Sequence, residues 1–411
     1  MKIGYVMSRF PKLTETFIIR EIQEARRQGV ELQVYPLIRQ KEAVRHESVR
    51  ELMPLVHYTP FLSVTVLLVN LLYLFRSPRR YLGVLWGLIT GAFGSWGLLI
   101  KTLILFPESV RIAHKMRRDG ISHVHAHFAT FPAATALVIK RLTGIPYSFT
   151  AHGSDIHVTQ HGLARKIRDA EFAVMISAYN RQFVLEKCGT SLADRLVVVH
   201  CGIRPGEYRE NGEPSSPPGE AFTIMCVASL NPVKGHEFLV EACRQLQNRG
   251  TKFVCRLVGD GPLRKQLSQQ IRESGLEGRV IMEGMLSLEE VRTKLQECDV
   301  FALCSVRTSR GDREGIPVAL MEAMATGLPV VASDISGIPE LVDEESGVLV
   351  PPGDSRAIAD ALQRLAEAPQ LRQKLGRHAR RRVQADFDLS TNVGRLIGLW
   401  RESHDHRPAS T

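Results

Sequence analysis

The chain has 411 residues, enough for two domains of ordinary size, and its 44% hydrophobic and 23% charged residues exclude a disordered protein. Lys and Arg exceed Asp and Glu by ten (53 against 43), which favours anionic partners. No nucleic-acid recognition motif accompanies this charge, and the basic cluster Arg377–Arg382 indicates a solvated helix, so we do not expect nucleic acid as a partner.

The N-terminus opens directly on Lys2–Met7, an apolar run that predicts a first strand and no cleaved signal peptide. The seven cysteines are scattered without a C-x-x-C pair, which is typical of buried, reduced thiols. Both features favour a cytoplasmic protein.

Short β-branched runs alternate with helical patterns, which predicts parallel α/β sheets. Strands are expected at 2–7, 31–36, 121–125, 146–150, 171–176 and 195–199, and again at 222–228, 253–258, 279–282, 299–303, 329–332 and 347–350. The Pro-, Gly- and Ser-rich segment 205–219 separates the two sets and is typical of a linker. We therefore predict Rossmann-like domains at 1–204 and 220–388.

Residues 60–106, within an insertion at 60–110, interrupt this pattern. Residues 61–75 hold no charge, and Tyr81–Ile100 is a run of twenty uncharged, largely apolar residues, long enough to span a membrane. A single crossing would put strands of one sheet on opposite sides of the bilayer. We therefore expect helices in the membrane interface, with basic residues near anionic headgroups: Arg76, Arg79, Arg80 and Lys101.

Two alternatives stay open for this insertion, namely a helix pair buried within the N-terminal domain and a membrane hairpin. Gly83, Gly87 and Gly91 recur at four-residue spacing, which permits close helix–helix contact.

The histidines His123, His125 and His127 alternate along the end of one predicted strand. Such spacing can indicate a metal site, but no carboxylate or cysteine cluster completes one in the sequence, so we expect no metal. The chain's D-x-D, Asp386-Phe-Asp388, indicates a helix break followed by a cap.

The most informative segment is Glu314-Gly-Ile-Pro-Val-Ala-Leu-Met-Glu322. Pro317 suits the first turn of a helix and Gly327-Leu-Pro329 ends it, so Glu322 is expected within the helix and Glu314 in the loop before it. Backbone N–H groups at 317–319 and the positive helix end would form an anion site between the carboxylates. A solvated amphipathic helix is the alternative.

Three further turns follow predicted strands. Asn231-Pro-Val-Lys-Gly235 opens a helix, and its lysine suits a diphosphate. Val258-Gly-Asp-Gly-Pro262 lacks the third glycine of G-x-G-x-x-G, because Arg264 stands there, so a dinucleotide fingerprint is not supported. Thr150-Ala-His-Gly-Ser-Asp155 lies where ligand loops are expected. The alternative for the first turn is an exposed surface lysine, for the second a plain tight turn, and for the third a structural histidine.

The order E-G-x-P-x-x-x-x-E-A-M-A-x-G-x-P-V-V resembles the donor-site signature of retaining nucleotide-sugar glycosyltransferases of family four, which have the GT-B fold. Ser8–Ile18, His123–Phe128 and Phe149–Asp155 resemble the branch that builds colanic acid and other bacterial exopolysaccharides. The resemblance covers most of the chain. It implies an α/β protein with two Rossmann-like domains facing a central cleft, an apolar helical insertion in the N-terminal domain, and a last helix within 389–411 that returns to that domain.

The resemblance also implies metal-independent, retaining transfer of a sugar from a UDP- or GDP-sugar, a substrate and not a cofactor. The acceptor would be a lipid-linked oligosaccharide at the inner face of the cell membrane. Glu322 would bind the ribose hydroxyls, and Glu314 and the 315–318 backbone would contact the donor sugar and phosphate. The implied donor-binding residues are Lys234, Gly235, Gly259, Gly261, Gly315, Ile316, Pro317, Val318 and Glu322.

His152 and Glu314 are the implied catalytic residues, with Asp155 orienting the His152 imidazole against the donor sugar. The expected acceptor contacts are Arg9, His127 and Asp155. Ser229 stands where the family usually has an arginine, and a basic residue of the loop before Glu314 can replace it: Arg307, Arg310 or Arg313. A sugar-nucleotide epimerase and a non-catalytic sugar-nucleotide binder stay open as alternatives, and the sequence does not predict an oligomeric state.

Overall fold

The computed structural model describes residues 1–11, 15–39, 47–59, 63–210 and 221–405. By its contacts the chain divides into two compact units, Met1–Val199 with Leu389–Thr411, and His200–Asp388. Parts of four predicted segments lie outside the described residues: 12–14 of the N-terminal motif, 60–62 of the insertion, 211–219 of the linker and 406–411 of the C-terminal segment.

The first unit contains a six-stranded sheet with the order β2-β1-β3-β4-β5-β6, in which every pairing is parallel. Its strands are β1 (Lys2–Phe10), β2 (Glu31–Arg39), β3 (His123–His127), β4 (Tyr147–Ala151), β5 (Ala173–Met175) and β6 (Leu196–Val198). Its helices are α1 (Thr16–Arg27), α2 (Glu47–Arg50), α3 (Val64–Arg76), α4 (Pro78–Gly91), α5 (Trp96–Arg118), α6 (Phe131–Thr143), α7 (Ser154–His157), α8 (Leu163–Asp169) and α9 (Ala178–Cys188).

The second unit repeats this plan with the parallel order β12-β11-β10-β7-β8-β9. Its strands are β7 (Phe222–Val227), β8 (Phe253–Val258), β9 (Val280–Gly284), β10 (Val300–Leu303), β11 (Val330–Ser333) and β12 (Gly347–Val350). Its helices are α10 (His236–Asn248), α11 (Arg264–Glu273), α12 (Leu288–Gln296), α13 (Val318–Ala325), α14 (Ile338–Leu341), α15 (Ser355–Glu367) and α16 (Pro369–Asp386).

Both sheets are buried by helices, as parallel sheets require. All five residues of β3 and of β4 are buried, and so are all four residues of β10 and of β11. The predicted parallel α/β architecture is confirmed, with observed strand limits within a few residues of those expected.

The last helix, α17 (Leu389–Asp405), packs within the first unit. Its Trp400 is fully buried, with ring centroids 6.0 Å from Tyr5 and 5.2 Å from His125. The indole therefore covers the centre of the first sheet.

Residues 205–210 of the predicted linker belong to the second unit. Tyr208 is buried in the hydrophobic core of that unit, and the backbone carbonyl of Tyr208 accepts a hydrogen bond from Arg380 at 3.0 Å. Because its aromatic ring is packed, this part of the segment is not a free connector.

The insertion forms three helices, α3 to α5, of which one side packs on the first unit. Asn70 links all three, because its side-chain amide donates to Val66 O and Pro107 O and accepts from the Tyr81 hydroxyl. The opposite side carries exposed large apolar residues: Val64, Leu67, Leu68, Leu71, Leu72, Phe75, Leu82, Trp86, Phe93, Trp96, Ile100, Leu103 and Ile104. The alternative of a fully buried helix pair is therefore wrong.

Among the described residues, no helix has the length and apolarity needed to cross a membrane. The uncharged run 81–100 is divided by the turn between α4 and α5. Gly87 and Gly91 do make close contacts, but with α8 and the residue before it: Arg165 donates to Gly87 O, and Gly162 lies against Gly91. A Cβ at Gly83 would meet nothing within 4 Å.

Candidate active site

Three loops of the second unit lie at one edge of its sheet. They follow β7, β8 and β10, which are neighbours, and the strand order reverses between β7 and β10. Ligands of open parallel sheets bind at the carboxyl ends of the strands beside such a switch point. The loops hold Lys234, the 258–262 turn and Glu314 respectively, so the topology brings the predicted donor residues together.

Lys234 and Glu314 form an ion pair across the switch point. The Lys234 ammonium donates to Glu314 Oε2, and the hydroxyl of Ser305 lies 3.5 Å from the same oxygen. Both paired side chains are largely buried, with 19% and 15% of their surface exposed. Lys234, the lysine predicted to bind a diphosphate, and Glu314, the first carboxylate of the signature, thus lie in one site.

Glycines let these loops approach one another. A Cβ at Gly235 would lie 1.8 Å from Cys304 O, and φ is +63° there, which also favours glycine. Cβ atoms at Gly259 and Gly261 would lie 2.0 Å and 2.7 Å from the carbonyl oxygens of Ala228 and Leu230. The two glycines of the 258–262 turn are therefore required by contact with the chain's own backbone, whatever else the turn binds.

The helix α13 begins at Val318 and ends at Ala325, so Glu322 lies within it and Glu314 precedes it. Pro317 is the residue before the helix and not its first turn, and it has no amide hydrogen. The predicted anion site at 317–319 is therefore wrong at its first position. Val318 and Ala319 supply the backbone N–H groups there, because the amides of Leu320 and Met321 donate to Pro317 O.

Glu322 is 8% exposed and accepts a hydrogen bond of 2.9 Å from the Tyr208 hydroxyl. The guanidinium of Arg292 stacks over the Tyr208 ring at 4.8 Å. Glu322 is thus not a solvated residue of an amphipathic helix, and that alternative does not hold. Tyr208 was missed at the sequence level, although an aromatic residue in a Pro- and Gly-rich segment is a usable signal.

The loop before Glu314 carries the candidates for the missing arginine. Arg307 and Arg310 are exposed, whereas Arg313 is half-buried and its Nε contacts Gly311 O at 3.4 Å. Burial raises the pKa of the neighbouring Asp312, the charge of Glu314 adds to that shift, and Lys234 opposes it.

His236, the first residue of α10, is a further candidate that sequence reasoning missed. It is 1% exposed, and neither ring nitrogen has a hydrogen-bond partner among the described residues. Burial and the adjacent Lys234 lower the pKa of His236 to about 4, so its ring is neutral at neutral pH. Its position directly after the Lys-Gly turn was the available signal.

In the first unit, Arg9, His127 and His152 lie at the carboxyl ends of β1, β3 and β4, which are adjacent strands. Arg9 is exposed. His127 Nδ1 lies 3.2 Å from His152 Nε2, and His127 Nε2 lies 3.0 Å from Glu21 Oε1. The Tyr5 hydroxyl donates to the same Glu21 oxygen at 2.8 Å.

With both imidazoles neutral, one assignment of protons satisfies these contacts. The Glu21 carboxylate accepts from His127 Nε2–H, and His127 Nδ1 accepts from His152 Nε2–H. The lone pair of His152 Nδ1 then remains as an acceptor. Burial, with His127 adding to it, lowers the pKa of His152 well below its ordinary value, so this imidazole is neutral.

His127 does not contact an acceptor as predicted, because its side chain is fully buried and both ring nitrogens are engaged. Asp155 does not orient the His152 ring either. Its carboxylate accepts the backbone N–H groups of His152, Gly153 and Ala129 at 3.0, 2.7 and 2.8 Å. Asp155 therefore holds the loop, and Glu21, acting through His127, orients the imidazole.

The reason given for excluding a metal is also wrong, because Glu21 does supply a carboxylate beside the histidines. Ligand atoms of Glu21, His125 and His127 lie within 4.8 Å of one another. Each is already hydrogen-bonded: His125 to Ser148 at 2.8 Å and to Thr150 at 3.0 Å, and His127 to Glu21. An ion there would have to displace these bonds.

Known proteins match this chain along its length. The sequence profile of the glycosyl transferases group 1 matches residues 208–382, which include the donor loops. A protein of Escherichia coli (strain K12) named as a colanic acid biosynthesis glycosyltransferase, WcaL, is 32% identical over 97% of this chain and 99% of its own. The amylovoran biosynthesis glycosyltransferase AmsK of Erwinia amylovora is 30% identical over 94% of this chain and 96% of its own.

Solved structures show the same fold. Anabaena Alr3699/HepE, in complex with UDP, has a TM-score of 0.73 at 19% identity and covers 98% of this chain and 100% of its own. The sucrose-phosphate synthase of Thermosynechococcus elongatus has a TM-score of 0.75 at 18% identity, with coverage of 99% and 100%. The family predicted from the Glu314–Glu322 signature is thus confirmed. The chain belongs to the group 1 glycosyltransferases, and its two parallel α/β units are those of the GT-B fold.

Proposed function

We propose that this glycosyltransferase moves a sugar, with retention at the anomeric carbon and without a metal, from a nucleoside diphosphate sugar to a lipid-linked acceptor in exopolysaccharide synthesis. The observation that carries the donor assignment is the pairing of Lys234 with Glu314 at the switch point of the second sheet. The UDP complex of HepE supports the donor class. The names of WcaL and AmsK support the kind of product.

The second unit would hold the nucleotide. Lys234 and the N–H groups of Val318 and Ala319 offer positive charge to a diphosphate, and Glu322 would accept from the ribose hydroxyls. Negative charge builds on the departing nucleoside diphosphate in the transition state, so cationic groups fixed around it lower the barrier. One of Arg307, Arg310 and Arg313 would add the cation that Ser229 does not supply.

The first unit would hold the acceptor and one polar group for the sugar. The neutral imidazole of His152 presents Nδ1 as an acceptor for a sugar hydroxyl, which fits a role in orienting the donor sugar. The Glu21–His127 pair would keep that tautomer.

Metal independence rests on the chemistry of the donor loops. Their charged groups at the switch point are Lys234, Glu314 already paired with it, Asp260 paired with Arg264, Asp312, and arginines. Among the described residues, the group with ligand spacing lies on Glu21, His125 and His127 of the first unit. Cations of the protein would therefore neutralise the leaving group.

Association with a membrane surface completes the proposal. Exposed apolar residues of α3 to α5 and the exposed arginines at 76, 79 and 80 together match an interfacial helical surface facing anionic lipid at the inner face of the cell membrane.

The decisive experiment measures release of UDP or GDP from a panel of nucleotide sugars, with and without extracted glycolipid acceptors. We expect release that depends on the acceptor, and a product whose new bond keeps the donor's anomeric configuration. Conversion of the donor without any acceptor would identify an epimerase. Donor binding with no transfer to any glycolipid would identify a non-catalytic binder, and activity abolished by EDTA and restored by a divalent ion would contradict metal independence.

A further inference from the structure

The first unit contains a cavity of about 370 Å³ between the insertion and helices α6 and α8. Its apolar lining includes Leu88, Leu98, Phe131, Ala134 and Leu137. A second cavity, of about 340 Å³, shares the lining residues Leu88, Leu137 and Arg165 with the first, so the two cavities are adjacent. Volumes of this size fit the head and first carbons of a lipid, but not a whole long-chain lipid.

Neither cavity is lined by an aspartate or a glutamate, whereas both are lined by cations. These are Lys101, Arg165 and Lys166 in the first cavity, and Arg79, Arg80, Arg141 and again Arg165 in the second. Arg141 is neutralised by Asp169 at 2.6 Å, whereas among the described residues Arg165 and Lys166 donate to the backbone carbonyls of Gly87 and Ala129. Burial lowers the pKa of Lys166 to about 8, and the charge of Asp155 opposes that shift. The remaining positive charge favours an anion, and the apolar walls favour a hydrocarbon.

Gly87 allows the central cation to reach this position. A Cβ there would lie 2.3 Å from the guanidinium nitrogens of Arg165, so any other residue would displace that side chain. Arg165 thereby lines both cavities, at their common wall.

The surroundings indicate where the ligand comes from. Trp86 of α4, Phe93 in the turn after it and Trp96 at the start of α5 are 67%, 83% and 81% exposed, and both helices line the cavity. Aromatic side chains with this exposure anchor proteins at the headgroup level of a bilayer. A molecule leaving the bilayer would therefore meet the cavity next to the membrane-facing surface.

We propose that this pocket binds a membrane lipid that bears a phosphate. The phosphate lies against Lys101, Arg165 and Lys166, and the first part of the apolar chain runs along Leu88 and Leu137. The role of this lipid as the carrier of the acceptor rests on the proposed function. Lys166 of the pocket donates to Ala129 O, and the Asp155 carboxylate accepts from the backbone N–H groups of both Ala129 and His152, so hydrogen bonds link the pocket to the loop that carries the candidate sugar-binding histidine.

The test is photo-crosslinking of the full chain to phosphatidic acid that carries a diazirine in its acyl chain, presented in phosphatidylcholine vesicles. We expect labelled peptides from residues 79–101 and 130–166. Ala134→Trp should reduce the labelling about tenfold or more, because the indole would fill part of the pocket. Displacing only two methylenes of the lipid from the apolar wall would weaken binding by this factor. Lys101→Glu should reduce it about fivefold, with a dependence on salt.

Arg118→Glu is the matched control for Lys101→Glu. It makes the same charge change on an exposed residue of α5, about 25 Å further along the helix, and should leave labelling unchanged. Excess inorganic phosphate distinguishes a free anion from a lipid as the ligand, since only a free-phosphate site would be emptied by it. Vesicles brought to equal surface charge with an anionic lipid that has no phosphate, a sulfoglycolipid, test whether general attraction to anionic lipid is sufficient.

Labelling confined to other segments, or equal labelling of wild type and Ala134→Trp, would overturn the proposal. So would full competition by inorganic phosphate, or labelling that follows surface charge alone. Each variant is also assayed for nucleoside diphosphate binding in the absence of lipid. If the wild-type chain binds no nucleoside diphosphate, the proposed donor site is refuted, and the lipid assay can still be interpreted. If the chain binds nucleoside diphosphate but its pocket is not labelled, only the lipid site is refuted.

Discussion

Lys234 and Glu314 are bonded to each other although 80 residues separate them in the chain. The turn after β7 supplies the ammonium and the loop after β10 supplies the carboxylate, at the point where the strand order of the second sheet reverses. A diphosphate that binds Lys234 must therefore compete with Glu314 for the same cation. This geometry couples donor binding to the release of Glu314 from its ion pair with Lys234.

Replacement of Glu314 separates binding from chemistry. Glu314→Gln should bind UDP or GDP several-fold more tightly, because Lys234 loses its internal partner, and should lower kcat for transfer. Lys234→Met should weaken nucleoside diphosphate binding by about 10- to 100-fold, the range for hydrogen bonds to charged groups. Calorimetric titration measures both, and Lys265→Met, an exposed lysine beside the 258–262 turn, is the control that should bind normally. Unchanged affinity in both variants would exclude the site.

The Tyr208–Glu322 hydrogen bond allows the ribose role to be tested without loss of the fold. Glu322→Gln keeps an oxygen for the Tyr208 hydroxyl but removes the charge, and should weaken nucleotide binding by about tenfold. Tyr208→Phe removes the internal bond and leaves the carboxylate, so it should lower stability by about 1 kcal/mol with a small effect on binding. The reverse outcome, with normal binding in Glu322→Gln, would show that the carboxylate is structural.

The Glu21–His127–His152 arrangement predicts an effect on kcat from a residue that does not touch the donor. In Glu21→Gln no carboxylate holds the His127 proton on Nε2, so the tautomer of His127 is no longer fixed. The kcat should then fall about tenfold or more, while the donor KM stays near its wild-type value. Tyr5→Phe is the matched control, since it removes the other hydrogen bond to the same Glu21 oxygen and keeps the tautomer. Equal losses in the two variants would favour a purely structural network.

Most of the fold follows from local sequence. Most strands of both sheets are short apolar runs between turn residues, with β3 and its three histidines as an exception, and the sequence places all twelve within a few residues of those observed among the described residues. Because parallel strands end at one edge of a sheet, the loops with Lys234, Glu314 and His152 could also be assigned to ligand-binding edges.

Pairing between distant segments could not be predicted in the same way. Glu21 occurs in a helical pattern 106 residues before His127, and nothing near either residue indicates their contact. The sequence therefore predicts an acceptor contact for His127, and it predicts for Asp155 the orienting role that Glu21 holds. The direction in which a buried polar side chain points depends on tertiary packing. Hydrophobic periodicity predicts helices and strands but not these side-chain directions.

The interfacial surface of the insertion predicts electrostatic binding to membranes. Reversal of Arg76, Arg79 and Arg80 to Glu should abolish flotation with anionic vesicles, because each cation near such a surface contributes about 1 kcal/mol. The matched control reverses three exposed basic residues of α16 in the second unit, Lys374, Arg377 and Arg381, and should float normally. If both triple variants lose flotation equally, net charge and not the insertion governs binding.

Glu108 predicts a dependence of stability on pH. It lies in α5 with 1% of its surface exposed, neither carboxyl oxygen has a partner among the described residues, and burial raises the pKa of this carboxyl from 4.5 to about 8. Between these two values the folded chain keeps a proton that the unfolded chain loses. The free energy of unfolding should therefore fall as pH rises, by up to about 1.4 kcal/mol per pH unit, with the full cost present above pH 8 and none below pH 4.5.

Glu108→Met removes this cost with a side chain of similar length and good helix propensity. Denaturant unfolding at pH 5, 7 and 8.5 should show a variant whose advantage over wild type grows with pH. Glu277→Gln, an exposed glutamate of the second unit, should follow the wild-type profile at every pH. A constant difference between Glu108→Met and wild type across this range would mean that Glu108 has the same pKa in both states, and that the gain comes from packing alone.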